Sequence, residues 1–182
     1  MRRRLRLRRI AVAVCATAAL PIGALTARAA GLRVNATASM PRGLWRVTPV
    51  TAALARGEIV SVCPPEVPAI HEAAARGYLP AGGCEGGTEP LVKPVAAVAG
   101  DVVTVSPESI AVNGAAIANT ARLKQDSTGR PLHPVPVGAY TVAPGQVWLL
   151  SGHTPRSFDS RYFGPVPMHN VLGRARPVWV VR

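Results

Sequence analysis

The chain has 182 residues, enough for one domain with a real core. Aromatic residues are only 4% of it, so that core must be built mainly from Val, Ala, Leu and Ile. The formal charge of +12 suggests nucleic acid until it is located: Arg2, Arg3, Arg4, Arg6, Arg8 and Arg9 carry six of the charges, leaving +6 for residues 10–182. Half of the excess therefore lies in a tail, no basic stripe is interleaved with aromatics, and nucleic acid is not an expected partner.

Residues 1–9 form that basic tail. Residues 10–27 then run for 18 positions without a charge, roughly 27 Å as a helix, close to the thickness of a bilayer's hydrocarbon core. Arginines before this stretch and few after it place the N-terminus in the cytoplasm and residues 28–182 outside. Length alone fits a retained anchor, whereas Ala27-Arg28-Ala29 resembles the exit of a cleaved signal peptide. A catalytic residue soon after the segment favours the anchor, which would keep it near the membrane.

Asn35–Trp45 is poor in charge, with hydroxyls at Thr37 and Ser39 between small Ala residues, then Pro41 and Gly43 to turn the chain. It reads either as a plain loop into a first strand or as a presented nucleophile, Ser39. Leu44–Val47 predicts a strand, Ala52–Arg56 a helical turn, and Ile59–Val62 a second strand stopped by Pro64 and Pro65. The Ala-rich stretch Glu66–Arg76 predicts a short helix capped by Gly77. Cys63 and Cys84 stand at the two ends of this region on the oxidising side of the membrane, and a disulfide between them would staple residues 63–84 as an insertion. Cys15, within the apolar segment, reads as a small apolar side chain expected to be buried. No Cys or His spacing of a metal site occurs, and no metal or cofactor is expected.

Leu91–Val98 is a strand in which Leu91, Lys93 and Val95 share one face. Lysine is rare here, two against nineteen arginines, and one on an apolar face is costly unless it serves a function. The plainer alternative is a snorkelling lysine on an edge strand, to which Pro94 points. Val102–Val105 follows the Gly100-Asp101 turn, and Ile110–Ile117 is a hairpin about Asn113-Gly114. Residues 119–134 read as a polar exposed loop. Tyr140–Val142 and Gln146–Leu150 resume as strands, Gly152–Gly164 is a dense polar loop, and Val171–Arg176 and Val178–Val181 end the chain as strands. Short strands at regular spacing with almost no helix indicate a mainly β domain.

A serine hydroxyl needs a base, and lysine can serve once its pKa falls from about 10.4 to roughly 7–8, which desolvation by apolar neighbours supplies. Lys93 between Leu91 and Val95 meets that need best. The boxes Asn35-x-Thr37-x-Ser39-x-Pro41-x-Gly43-Leu44-Trp45, Arg56-Gly57-Glu58-Ile59-Val60, Val92-Lys93-Pro94-Val95 to Gly100-Asp101, and Gly152-His153 to Ser157-x-Asp159-Ser160-Arg161 stand in order along the chain. Together they resemble the type I signal peptidases of the serine–lysine class, family S26, and within it the TraF-type conjugative transfer peptidases. Pro41 two residues after Ser39, where the general family has it one residue after, is similar to the TraF branch. His153 replaces the more usual acid, and Pro94 the usual Arg.

The resemblance implies a signal-peptidase-like antiparallel β domain behind one transmembrane helix, in a bacterial inner membrane with the catalytic domain periplasmic. It makes Ser39 the nucleophile and Lys93 the general base, with the Ser39 N–H and the Thr37 hydroxyl as oxyanion donors. Ser157 would orient the Lys93 ammonium, and Asp159 and Arg161 would brace the loop as an ion pair. The implied activity is endopeptidase cleavage after small residues of a precursor carrying a signal peptide or of a propilin, with maturation of a conjugative pilin or transfer protein as the narrower expectation and product cyclisation beyond it. Two rivals remain. One is a sortase-like transpeptidase, which requires a free thiol at Cys63 or Cys84; the other is a non-catalytic envelope scaffold of a conjugation or secretion apparatus.

Overall fold

The computed structural model describes residues 26–181, so the expected anchor lies outside the described residues save for its last two positions. Among the described residues no helix is long and apolar enough to cross a membrane. The domain is mainly β and antiparallel. Its larger sheet joins β1 (Leu32–Asn35), β2 (Gly43–Thr48), β3 (Ile59–Val62), β4 (Leu91–Val98), β9 (Gln146–Leu149), β10 (Val166–Pro167) and β11 (Val171–Val180), in the order β1-β2-β11-β3-β4-β9-β10. A smaller sheet has the order β7-β6-β5-β8, built from β5 (Val102–Val105), β6 (Ile110–Val112), β7 (Ala115–Ile117) and β8 (Gly138–Thr141). Among the described residues the helices within the domain are α1 (Pro68–Ala75), α2 (Ser160–Phe163) and a 3-10 turn at Met168–Asn170, and residues 26–29 ahead of β1 are also helical.

Burial follows the alternation of side chains. In β4, Leu91, Lys93, Val95 and Ala97 are buried, while the residues between them are partly covered. Leu91 and Val95 join Val60, Val62, Ile70, Leu149 and Phe163 in the main core, whereas Ala97 and Trp148 belong to the core under the smaller sheet. Asn113 and Gly114 take φ of 49° and 82°, the left-handed pair that a two-residue hairpin turn requires, and β6 and β7 pair across them. Gly77 ends α1 at φ 74°, its N–H on the Ala74 carbonyl.

Three local expectations change. Residues 52–56 are irregular instead of helical, because the Arg174 Nη2 group draws the carbonyls of Ala52 and Ala53 outward at 2.9 and 2.8 Å. The two C-terminal strands are one, β11, with a register shift between Pro177 and Trp179 that absorbs the proline. Lastly, β4 is not an edge strand: it lies between β3 and β9. Pro94 is tolerated because its ring nitrogen lies beyond the end of the β9 ladder, whose first paired residues are Val95 and Leu149, while the Pro94 carbonyl accepts from Leu150 N.

Cys63 and Cys84 form a disulfide across a separation of 21 residues. A closed loop of that length stabilises by about 3 kcal/mol in the chain-entropy account. The Cys63→Ser/Cys84→Ser double variant is expected to lose about that much in urea unfolding, and an unchanged midpoint would remove the staple from the account of stability.

Candidate active site

Ser39 lies in a turn between β1 and β2, and the turn is organised by a residue to which the sequence assigned no role. Asn35, buried at the end of β1, donates through Nδ2 to the carbonyls of Thr37, Met40 and Pro41, each at 3.1 Å. Its Oδ1 accepts from Thr37 N at 3.2 Å and from Thr37 Oγ1 at 2.8 Å. One amide thus closes the whole turn. Gly43 ends it at φ 141°, and a Cβ there would sit 2.2 Å from the Trp179 carbonyl oxygen, so no other residue fits beside β11.

Thr37 Oγ1 and Ser39 Oγ are 3.1 Å apart. Because the Thr37 hydrogen is given to Asn35, Ser39 is the donor of that bond. As an oxyanion donor Thr37 must therefore turn away from Asn35. The Ser39 N–H needs no such change, since it makes no hydrogen bond among the described residues.

Lys93 is 2% exposed, and its Nζ donates to Ser157 Oγ at 2.8 Å, with Ser157 itself buried. Burial pushes the Lys93 ammonium down from 10.5 to about 8; Asp159 opposes the shift and Arg161 adds to it. Ser39 and Lys93 both line one cavity of about 320 Å³, in the size range of ligand pockets, although they do not hydrogen-bond each other in this state.

The loop that carries Ser157 is held by a buried ion pair. Arg161 donates Nε to Asp159 Oδ1 at 2.8 Å and Nη2 to Oδ2 at 2.7 Å. Its other three hydrogens go to the carbonyls of Asn119, Pro155 and Ser151. Asp159 also accepts from Arg161 N and Ser151 N, capping α2 with the first of these. All five guanidinium donors are used, and both side chains are fully buried. Ser160 Oγ accepts from Leu149 N, tying the same loop to β9.

Residues 119–134 are an irregular and largely exposed loop, as expected, but side chains pin it to the domain. Tyr78 donates to Asp126 Oδ2, Arg130 pairs with Asp126 and lies over the Tyr78 ring, and Arg76 donates to the Pro131 carbonyl. The hydrogen bond from Tyr78, with others from Arg130 and backbone amides, holds the Asp126 carboxyl well below the usual range. This clasp joins the disulfide-closed segment to the loop, and Leu123 and Leu132 line the cavity together with Phe158. The cavity wall is mostly apolar, with Phe158 stacked on Tyr162 at 5.0 Å.

The structure thus brings Thr37, Ser39, Lys93 and Ser157 to one cavity wall or immediately behind it, and sets Asp159 and Arg161 beneath them. His153 is exposed beside it. Cys63 and Cys84, being bonded to each other, offer no thiolate for the transpeptidase alternative. Among the described residues no cluster of three or more His, Cys, Asp or Glu could hold a metal ion.

The family model "Signal peptidase, peptidase S26" matches residues 4–180. A probable conjugal transfer protein TraF of Sinorhizobium fredii (strain NBRC 101917 / NGR234) is 43% identical over 148 residues, 81% of this chain and 77% of its own length. A plasmid transfer protein TraF of Escherichia coli is 38% identical over 174 residues, 94% of this chain and 96% of its own. A conjugal transfer protein TraF of Agrobacterium tumefaciens (strain 15955) is 40% identical over 164 residues, 89% and 91% respectively. Among solved structures, a signal peptidase I of Enterococcus faecalis V583 aligns over 68% of this chain and 97% of its own, at a TM-score of 0.40 and 20% identity. The chain belongs to the signal peptidase family, peptidase S26, and is similar to the TraF conjugal transfer proteins.

Proposed function

We propose that the chain is a membrane-anchored serine endopeptidase with a Ser39–Lys93 dyad, which removes a signal peptide or propeptide after small residues from a precursor in conjugative transfer. The observation that carries this reading is a buried lysine with its pKa lowered to about 8, sharing one cavity with a half-exposed serine. Neutral Lys93 takes the Ser39 hydroxyl proton as Ser39 Oγ attacks the scissile carbonyl. It then returns that proton to the leaving amine. Ser157 keeps Nζ aimed while this happens. The Ser39 N–H receives the oxyanion, joined by Thr37 once its hydroxyl turns from Asn35; one such donor is worth about 10²–10³ in rate.

A periplasmic, membrane-side location is part of the same proposal. The disulfide suits an oxidising compartment. Val34 and Trp179 both pair in register with Leu44, so the three share a face, and the outer two are 74% and 66% exposed. Such an apolar row beside the Ser39 turn, on the strands nearest residue 26, suits contact with lipid. The names of the TraF relatives support a substrate in conjugal or plasmid transfer; a propilin is the candidate to test first.

Co-expression with candidate propilins tests the reading, with precursor mass read in wild type and Ser39→Ala. The expected result is a shortened product in wild type alone. A product of equal size in both, or in neither across the propilins of its own transfer system, favours the envelope scaffold. Because the working form of Lys93 is neutral, kcat/KM is expected to rise about tenfold per pH unit below about 8 and to level off above it. A rate flat from pH 6 to 9 would remove Lys93 as the base.

A further inference from the structure

We infer that Ser151 is a positioning residue for the nucleophile: its hydroxyl holds the Ser39 carbonyl and so sets the direction of Ser39 Oγ. The inference rests on the serine–lysine reading above. Ser151 lies two residues past the end of β9, just before the box that begins at Gly152, and belongs to neither the strand nor the loop read from the sequence. In the fold it is fully buried, and each of its three polar groups has a separate task. Its N–H donates to Asp159 Oδ2 at 3.0 Å, its carbonyl accepts from Arg161 Nη2 at 2.8 Å, and its Oγ donates to the Ser39 carbonyl at 2.5 Å, 112 residues away.

The hydroxyl has one hydrogen, and two acceptors lie near it. Met40 Sδ is at 3.7 Å and is a weak acceptor, so the hydrogen goes to the Ser39 oxygen. Ser151 Oγ in turn accepts from His153 N at 3.2 Å, which fixes the hydroxyl's own orientation. The buried ion pair therefore reaches the nucleophile through one residue. Arg161 and Asp159 fix the Ser151 backbone, and its side chain fixes the peptide that follows Ser39.

That peptide matters because its carbonyl direction fixes the backbone torsion of Ser39, and with it where Oγ points. Asn35 holds the neighbouring carbonyls of Thr37 and Met40 but not that of Ser39. Ser151 supplies the contact Asn35 leaves out. Lys93 is fixed from the same stretch of chain, since Leu150 N donates to the Pro94 carbonyl. Adjacent residues, Leu150 and Ser151, thus tie the lysine strand and the serine turn to one point. An error of about 1 Å between reacting groups can cost on the order of 10²-fold in rate.

The test compares Ser151→Ala and Ser151→Thr with wild type, with Ser39→Ala as the inactive reference. Ser151→Ala is expected to lower kcat for precursor cleavage by about 10–100-fold, following the scale of misplacement costs, with KM within about twofold. The pH at which the rate levels off stays that of wild type, because Ser157, Asp159 and Arg161 still surround Lys93. Ser151→Thr, which keeps the hydroxyl, recovers most of the rate. A kcat in Ser151→Ala within twofold of wild type overturns the inference, and so does a kcat loss that comes with a shifted pH profile, which would place the effect on Lys93. A readout free of catalysis runs beside it: the carbonyl ¹³C resonance of Ser39 is expected to move in Ser151→Ala and to return in Ser151→Thr. If wild type and Ser39→Ala cleave nothing, the peptidase reading fails, and the ¹³C result still decides Ser151: an unmoved resonance overturns its role.

Discussion

Replacing Lys93 with Met is expected to abolish cleavage and, at neutral pH, to make the domain more stable. The loss of activity follows from removing the base, worth about 10²–10⁴ in rate for a positioned proton acceptor. The gain in stability follows from linkage. In the folded domain burial holds the Lys93 pKa at about 8, against 10.5 for an unperturbed lysine. Between those values the unfolded chain binds more protons than the folded one, so wild-type stability rises with pH across the window from about 8 to 10.5. Below about 8 the folded state carries the full cost of a buried ammonium, about 3 kcal/mol for a shift of this size. Methionine has a similar length and no charge, and escapes that cost. Ser157 Oγ loses its donor and takes back about 1 kcal/mol, leaving a net gain of about 2 kcal/mol at pH 7. Urea unfolding at pH 7 and pH 10.5 measures it. The variant should lead at pH 7 and lose most of its lead at pH 10.5; a lead of the same size at both, or none at pH 7, would mean that Lys93 is not held under strain.

Arg161→Met is expected to be the most damaging change outside the cavity. It leaves the Asp159 carboxylate buried with only the N–H groups of Ser151 and residue 161, and it strands the carbonyls of Asn119, Pro155 and Ser151. Breaking a buried pair from one side costs about 3–5 kcal/mol, a large part of the 5–15 kcal/mol that holds a typical domain together. Removing both charges, as Asp159→Leu with Arg161→Met, should restore part of the loss because no buried charge is left alone. Equilibrium unfolding of the single and double variants checks this, and a single-variant loss below about 1 kcal/mol would contradict the contacts seen around the guanidinium. The electrostatic sign is also fixed. Arg161 lowers the Lys93 pKa and Asp159 raises it, so where Arg161→Met folds, its rate profile should move to higher pH.

Both predictions rest on side chains whose importance was visible in the sequence, but for different reasons. Lys93 stands out because strand alternation is a local rule, and Leu91 and Val95 on either side of it force its direction. Asp159 and Arg161 stand two residues apart and pair across one turn, again a local relation. The hairpin at Asn113-Gly114 and the Gly77 cap are legible on the same footing, as conformations that one or two residues select. Where the sequence misled, the deciding partner lay far away. Pro94 suggests an edge strand, and only the point at which β9 begins to pair makes it tolerable in the interior. Ala52–Arg56 has helical composition, and Arg174, more than a hundred residues on, pulls its carbonyls out of line. Residues 119–134 are the largely exposed loop that their composition suggests, but only the fold shows that Tyr78 and Arg76 tie it beside the cavity.

By itself, then, the sequence determined a mainly β domain, the order of its chemical boxes, and the presence of a small-residue serine turn and of one lysine on an apolar face. Each of these follows from rules that act within a few residues. Tertiary structure alone decided that the lysine strand is central, that the Ser39 turn and Lys93 reach one cavity whose wall a loop and a disulfide-closed segment share, and how the Ser39 turn is held. Asn35 reaches forward to the carbonyls of its own turn, and Ser151 reaches back across 112 residues to the Ser39 carbonyl. The physical reason is the same in each case: a buried polar group must find a partner, and the sequence does not say which distant carbonyl the fold will bring within reach.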